Sequence, residues 1–161
     1  MRASRVSWFV GVLLLSLMLS SCGFQLRGTA ALEKYPAIYL EGDKRSEFMS
    51  LLATQLKRNQ VQLLEQQSEQ SAVFIMQGDK LDRRNLTLFN SGQVAEYELI
   101  YRLDYQLLLP GKPLQTFKIE LYRDYQDDPN RALAKSNELD LILSEMRNQA
   151  VSRVLRQLSR L

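Results

Sequence analysis

The only cysteine of the 161-residue chain, Cys22, stands directly behind an apolar run. Because the chain has no second thiol, Cys22 forms no disulfide within it and shares no metal ion with a neighbouring cysteine. The remaining uses of such a thiol are nucleophilic chemistry and covalent attachment. The residues in front of Cys22 distinguish between these two uses.

The segment before Cys22 has the organisation of an export signal. Arg2 and Arg5 are its only charges, and residues 8–19 form an apolar run that is shorter than the roughly 20 residues needed to span a membrane. The sequence LSSC that ends the segment matches the lipobox of bacterial lipoprotein signals, in which the cysteine thiol receives a diacylglycerol. We therefore predict a lipoprotein signal peptide over residues 1–21 and lipid attachment at Cys22. An ordinary secretory signal with a coincidental cysteine is the alternative.

Acyl chains on Cys22 would also set the location of the protein. Each buried methylene contributes about 0.8 kcal/mol, so two or three chains together hold a protein firmly on a membrane. Gly23, and not aspartate, follows the cysteine. In enteric-type bacteria, lipoproteins with this arrangement usually reach the outer membrane. We predict a lipid-anchored protein of the outer membrane that faces the periplasm.

The charge balance argues against nucleic acid as a partner. The full chain has 21 basic and 18 acidic residues, a net charge of +3. Removal of residues 1–21 would take away Arg2 and Arg5 and no acidic residue, which leaves the mature chain nearly neutral. Any basic surface must therefore be local.

The residue types also argue against an enzyme. The sequence contains no histidine, no G-x-S-x-G motif and no cluster of metal ligands, so we predict no cofactor and no metal. Glu96 and Glu98 share one face of a predicted strand, and paired carboxylates can hydrolyse glycans. A cell-wall hydrolase is therefore the enzymatic alternative.

A group of basic residues could bind an anion. Arg123, Arg131 and Lys135 surround the sequence Asp128-Pro129, and such side chains form charge-assisted hydrogen bonds with phosphate. Neighbouring aspartates reduce the net charge of this group. Simple solvation of these side chains is therefore the alternative interpretation.

Periodic apolar residues predict an antiparallel meander in the middle of the chain. In GQVAEYELIYRLDYQLLLPG, apolar side chains occupy the odd positions from 95 to 109, and the polar ones fall on even positions: Glu96, Glu98, Arg102, Asp104 and Gln106. Residues 110–113 predict a turn, after which the alternation resumes, and residues 90–92 predict an earlier turn. Each strand should have one buried face and one polar face, which either remains in water or contacts a partner.

Other segments complete the predicted fold. Strands are predicted at YPAIYLEGD and AVFIMQGD, with a further possible short strand at VQLLE. Residues 48–56 have helical spacing, with Asp43 as a candidate cap, and a long helix should begin at Asp128-Pro129. The basic residues of this last helix should form its solvated side, and contact of that side with anionic lipid is the alternative; they are Arg147, Arg153, Arg156 and Arg160. We predict an α+β fold, with two helices packed on one face of a mostly antiparallel sheet.

Three segments together resemble a known family. They are CGFQLRG, SGQVAEYELIYRLDYQLLLPG and DDPNRALAKSNELDLILSEM, and in this order they resemble the LPS-assembly lipoproteins LptE. The resemblance implies two helices on a four-stranded sheet, in a single domain over residues 35–161 behind an acylated tether at 22–34. It also implies a lipoprotein that sits inside the outer-membrane β-barrel LptD, plugs it, and binds lipopolysaccharide during delivery to the outer leaflet. A periplasm-facing scaffold for another envelope protein is the alternative.

The resemblance also points to a lipopolysaccharide-binding site. Lys135 matches a basic position of the family, and Arg123 and Arg131 are the other candidates. The family tends to place a second basic residue in the turn before the GQ-x-AEY segment, where this chain has Asn90. Arg83 and Arg84 in the preceding segment are possible substitutes for that residue.

Overall fold

A computed structural model describes residue 32 and residues 34–161. The predicted signal peptide and Cys22 therefore lie outside the described residues. The elements in chain order are β1 (Ala37–Glu41), α1 (Glu47–Arg58), β2 (Gln62–Leu64), β3 (Ala72–Leu88), β4 (Val94–Leu108), β5 (Gln115–Gln126), a 3-10 turn (Pro129–Arg131) and α2 (Ala132–Arg160). Within the described part of the chain, neither helix has a stretch apolar and long enough to cross a bilayer.

The five strands form one mixed sheet in the order β2-β1-β3-β4-β5. The last three strands are an antiparallel meander, whereas β1 runs parallel to both β2 and β3. The predicted α+β class and the predicted meander are confirmed. The predicted number of four strands was wrong by one, because Gln62–Leu64 forms a short edge strand of its own beside β1.

Both helices cover the same face of the sheet. Phe48 and Leu52 of α1 share one apolar core with Met146 and Val154 of α2. The strands contribute the odd-numbered residues of β4 to this core, as the alternation predicted; the buried ones are Leu99, Tyr101, Leu103, Tyr105 and Leu107. The even-numbered side chains consequently point to the uncovered face, which is called the open face below.

Strand β3 is longer than its sequence pattern indicates. Phe74 and Met76 face the helices, but a register shift between Met76 and Gly78 changes the phase, and Leu81 then faces the core. An extra residue in a strand turns all later side chains to the opposite face. Every residue from 83 to 93 is exposed, so the end of the β3–β4 hairpin projects from the body of the protein.

The two helices begin at different kinds of cap. Asp128 caps the 3-10 turn Pro129–Arg131, since its carboxylate accepts a hydrogen bond from the backbone N–H of Asn130 at 3.0 Å. The long helix α2 begins only after this turn, behind Arg131, which forms no side-chain cap. The predicted cap of α1 was wrong. Ser46 accepts the hydrogen bond from the backbone N–H of Met49, and Asp43 instead accepts one from the backbone N–H of Arg45 at 2.9 Å.

One residue of the predicted tether takes part in the core. Leu32 is 4% exposed and packs with the buried residues of both helices. Its carbonyl accepts a hydrogen bond from the backbone N–H of Tyr35 at 2.9 Å. This contact fixes the point at which the chain enters the domain.

Candidate functional site

A cavity of about 860 Å³ lies between the β3–β4 turn and the junction of β5 with α2. It brings together the two regions that the sequence indicated for anion binding. Its walls are mostly polar, with one aromatic ring; the lining residues are Phe89, Asn90, Ser91, Gln93, Gln126, Asp127, Asp128, Asn130, Arg131 and Lys135.

The β3–β4 turn supplies the uncharged side of the cavity. The backbone N–H of Phe89 donates to the carbonyl of Gln93 at 2.8 Å, and the N–H of Gly92 donates to the carbonyl of Phe89 at 2.9 Å. Gly92 has a φ of 83°, a conformation that is strained for residues with a Cβ. This closed turn presents Asn90 and Ser91 to the cavity.

The junction of β5 with α2 supplies the charged side. The backbone N–H of Asp127 donates to the carbonyl of Ala95 at 2.9 Å, which ties the junction to β4. The carboxylate of Asp127 accepts a hydrogen bond from the N–H of Asp128, whose own carboxylate caps the helical segment. One carboxylate oxygen of each aspartate therefore accepts a backbone hydrogen bond. Both aspartates lie next to Arg131 and Lys135 in the lining of the cavity.

Lys135 is held in position by three contacts. Its Nζ lies 2.8 Å from Oε2 of Glu138 and 5.2 Å from the ring centre of Tyr125. Its backbone carbonyl accepts a hydrogen bond from the Tyr125 hydroxyl at 2.8 Å. Burial raises the pKa of Tyr125, and the charge of Asp127 adds to this effect while Lys135 opposes it. The Lys135 side chain is only 17% exposed, so its ammonium is oriented before any ligand arrives.

The structure separates the three predicted binding residues. Arg131 and Lys135 both line the cavity, whereas Arg123 does not. Arg123 lies opposite Leu99 on the helix-covered face, where it is exposed on the edge strand β5. Cys22, the residue predicted for lipid attachment, lies outside the described residues.

Neither substitute for the missing basic turn residue lines the cavity. Arg84 lies on the open face, with its guanidinium 2.7 Å from the carboxylate of Glu98. Arg83 pairs with Leu99 on the opposite face of the sheet. Asn90 itself does line the cavity, at the turn where the resemblance had led us to expect a basic residue.

The apolar residues near this site were not predicted from the sequence. Phe89 lines the cavity and is 45% exposed, and Leu88 beside it is 61% exposed. Leu133, between Arg131 and Lys135 in the sequence, is 79% exposed. The sequence LTLF at residues 86–89 could have indicated Leu88 and Phe89, because it places apolar side chains directly before a polar turn, where they are not expected to be buried.

The open face carries a network of ion pairs. Arg102 of β4 contacts Asp82 of β3, and its Nε lies 2.9 Å from the carboxylate of Glu120 of β5. Lys118 and the Tyr122 hydroxyl also contact Glu120, at 3.1 and 2.8 Å. Hydrogen bonds from Tyr122, Lys118 and Arg102 lower the pKa of Glu120 to about 2. This face is polar and of mixed charge across all three strands of the meander.

The carboxylates of the enzymatic alternative are engaged on the same face. Glu96 accepts hydrogen bonds from Thr87 at 2.9 Å and from Gln126 at 3.1 Å. Glu98 is paired with Arg84. These contacts join neighbouring strands and give both carboxylates a structural role.

Comparison with known proteins identifies related chains. A family model described as "LptE: Lipopolysaccharide-assembly" matches residues 35–158. The LPS-assembly lipoprotein LptE of Pectobacterium atrosepticum is 28% identical over 145 residues, which cover 88% of this chain and 79% of that protein. The protein of the same name from Yersinia enterocolitica is 28% identical over 146 residues, covering 88% and 70% of the two chains.

Solved structures show the same fold. The rare lipoprotein B of Shewanella oneidensis superposes with a TM-score of 0.71 at 40% identity, over 77% of this chain and 94% of that one. A lipoprotein B from Nitrosomonas europaea superposes with a TM-score of 0.68 at 25% identity, over 85% and 90% of the two chains.

Proposed function

The chain belongs to the lipopolysaccharide-assembly family LptE, and we propose that it binds lipopolysaccharide in the cavity beside Lys135 while it plugs and supports an LptD-type β-barrel of the outer membrane. Cys22, acylated at the membrane surface, would anchor it on the periplasmic side of the outer membrane. The body of the protein would then lie in the barrel lumen.

The observation that carries this proposal is a cavity in which two cations, Arg131 and Lys135, lie beside exposed apolar side chains, while the two aspartates of the lining accept backbone hydrogen bonds. Lipopolysaccharide has phosphate groups on its lipid A part and acyl chains next to them. Arg131 and Lys135 offer charge-assisted hydrogen bonds to phosphate. Phe89 and Leu88 at the hairpin end offer apolar surface to an acyl chain. An amphiphilic anion fits this combination better than a free ion does.

The open face supports the second part of the proposal. The interior of a large outer-membrane barrel is polar, so a protein that fills it needs a polar surface. The face of Arg102, Glu120 and Lys118 has that character, and its charges are already paired within the protein. A surface of this kind can enter a polar lumen without leaving a buried charge unpaired.

Binding of lipopolysaccharide to charge-reversed protein tests the cavity. In Lys135→Asp, the ammonium is replaced by a carboxylate that repels phosphate, so affinity should fall at least about tenfold. Lys57→Asp, an equal charge reversal on the exposed end of α1, is the matched control and should retain affinity. Equal affinities of Lys135→Asp and the unaltered protein would remove Lys135 from the site.

Purification in mild detergent tests the partner. An outer-membrane β-barrel of the LptD type should co-elute with the protein and should change its mobility on heating. Co-elution of a different envelope protein would instead support the scaffold alternative.

Intact mass tests the anchor. A chain that begins at acylated Cys22 and is found in the outer-membrane fraction is the expected result. An unmodified soluble chain would contradict the proposed anchoring, although the cavity could then still be tested with lipid in micelles.

A further inference from the structure

A second basic groove lies along the free edge of β5, beside the C-terminal half of α2. Its volume is about 270 Å³, and its lining residues are Tyr105, Phe117, Lys118, Ile119, Arg153, Arg156, Gln157 and Arg160. The groove is near residue 118 of β5, and the cavity described above is near residue 126. Eight residues of strand separate the two by about 27 Å, so they are distinct sites.

The arginines of this groove differ from the cations of the open face, because they have no carboxylate partner among the described residues. Arg153, Arg156 and Arg160 are spaced three and four residues apart, which places them on one side of α2. All three are exposed, and none forms an ion pair with a carboxylate of the described residues. The lining of the groove contains no acidic residue. Lys118 also lines it, but its Nζ is directed to Glu120 on the open face.

One of the arginines is fixed by the strand. Nη1 of Arg153 donates a hydrogen bond to the backbone carbonyl of Glu120 at 3.2 Å, across the free edge of β5. This bond orients the guanidinium and leaves its other N–H donors for a ligand. It also occupies an edge carbonyl that an added β-strand would need, which favours a small anion over an extended peptide at this place.

The base of the groove is aromatic and rigid. The rings of Phe117 and Tyr105 are stacked with 5.3 Å between their centres, and Tyr105 is 1% exposed. Ile119 beside them is buried as well. The arginines therefore surround a firm apolar surface, an arrangement that suits a phosphate attached to a larger group.

We propose that Arg153, Arg156 and Arg160 form a second anion-binding site that takes a phosphate ester. Arginine binds phosphate through two parallel N–H donors, and several arginines together can neutralise a doubly charged phosphate. This site is independent of the proposed binding of lipopolysaccharide beside Lys135. The phosphate can be carried by a lipid headgroup or by a soluble ester.

Titration of the full chain with inorganic phosphate tests the site. The protein is kept in dodecyl maltoside, which carries no phosphate, and the ionic strength is held constant with chloride. The Nε–Hε NMR signals of Arg153 and Arg156 should shift and saturate. The double variant Arg156→Gln, Arg160→Gln should raise the apparent Kd about tenfold, because charge-assisted bonds are lost.

A matched control removes two cations elsewhere. Lys57→Gln, Arg58→Gln neutralises the basic last turn of α1 and should leave the Kd for phosphate unchanged within about twofold. Both double variants should keep the helical circular dichroism of the unaltered protein, since glutamine is a good helix former. If the arginine double variant unfolds, Arg156→Lys takes its place, with an expected weakening of about threefold because lysine lacks the guanidinium fork.

A second probe distinguishes the two sources of phosphate. Phosphatidic acid added to the micelles presents the same group on a lipid. If the shift saturates at a lower concentration of phosphatidic acid than of inorganic phosphate, the site binds a lipid headgroup. If the two probes saturate the shift at equal concentrations, the site binds a soluble ester. The proposal is overturned if neither probe gives a saturable shift at these arginines. It is also overturned if the control variant loses phosphate binding as the arginine variant does.

Discussion

The position of the Lys135 ammonium depends on Tyr125 and Glu138. The Tyr125 ring lies under Nζ, its hydroxyl holds the Lys135 carbonyl, and Glu138 lies at salt-bridge distance. A lysine that is already oriented loses less side-chain entropy when it binds an anion than a freely rotating one. The same contacts mean that an incoming phosphate has to compete with the Glu138 carboxylate.

Tyr125→Phe separates the role of the hydroxyl from that of the ring. The variant keeps the aromatic face under Nζ but loses the hydrogen bond to the carbonyl of Lys135. We expect the free energy of unfolding to fall by about 1 kcal/mol, as measured by urea denaturation. Lipopolysaccharide affinity should fall less than in Lys135→Asp. A loss as large as that of Lys135→Asp would show that the hydroxyl itself contacts the ligand.

Asn90→Arg should strengthen the binding of lipopolysaccharide. Asn90 lines the cavity opposite Arg131 and Lys135, and its backbone has no positive φ that would disfavour a larger side chain. An added exposed charge should increase affinity about two- to fivefold. Asn90→Gln, which adds length without charge, is the control for calorimetric titration. Equal affinities of the two variants would show that charge at this turn does not contribute.

At the scale of elements, the three strands of the meander are joined by charges as well as by backbone hydrogen bonds. Arg102 of β4 directly faces Glu120 of β5, whereas on β3 it faces Lys80 and contacts Asp82 diagonally. Opposite charges at directly facing positions stabilise neighbouring strands, and like charges destabilise them. The Arg102–Glu120 pair therefore supports the register of β4 with β5, and the contacts of Asp82 with Lys80 and Arg102 offset the repulsion between those two cations.

The titration of Glu120 should report on this network. Its pKa is lowered from 4.5 to about 2, and the hydrogen bond from Tyr122 is the largest cause. The ionised form thus stabilises the fold above pH 4.5, and this stabilisation is lost as the pH falls through about 2. In Tyr122→Phe, the NMR titration midpoint of the Glu120 carboxyl should rise, and unfolding should depend less on pH over that range. Tyr97→Phe on the opposite face should leave the midpoint unchanged; a shift there would contradict the assignment.

Local patterns predicted much of the fold, because each strand of the meander carries its own alternation. The odd positions of β4 identified the buried face without knowledge of the rest of the chain. The outer half of β3 could not be predicted in this way, since the bulge after Met76 shifts its alternation by one residue. The cavity was predicted only in part, because its position depends on contacts between distant parts of the chain.

The length of the β3–β4 hairpin positions the turn side of the cavity. The exposed location of Arg123 at the sheet edge depends on where α2 covers the sheet.

At the scale of the whole molecule, the proposed functions occupy separate surfaces. The cavity is at the end of the sheet where the hairpin projects, and the ion-pair network lies on the open face. The helices cover the opposite face and leave the basic groove at the β5 edge. A protein enclosed by a barrel could therefore contact the wall with its open face while the cavity remains available to lipid.

This separation predicts that barrel binding and lipopolysaccharide binding can be lost independently. Lys80 and Lys118 are exposed at 73% and 55% on the open face, where they pair with Asp82 and Glu120. Because exposed ion pairs contribute little, Lys80→Glu, Lys118→Glu should lower the free energy of unfolding by no more than about 2 kcal/mol while it reverses the charge of that surface. Co-purification of the barrel should decrease, because mismatched charges at an interface weaken association, while lipopolysaccharide affinity should remain unchanged. Lys135→Asp should show the converse pattern. Lys44→Glu, Lys57→Glu reverses as many exposed charges, one in the connection before α1 and one in its last turn, and serves as the control. Loss of the barrel in that control, with retention in the open-face variant, would place the barrel contact on the helices instead.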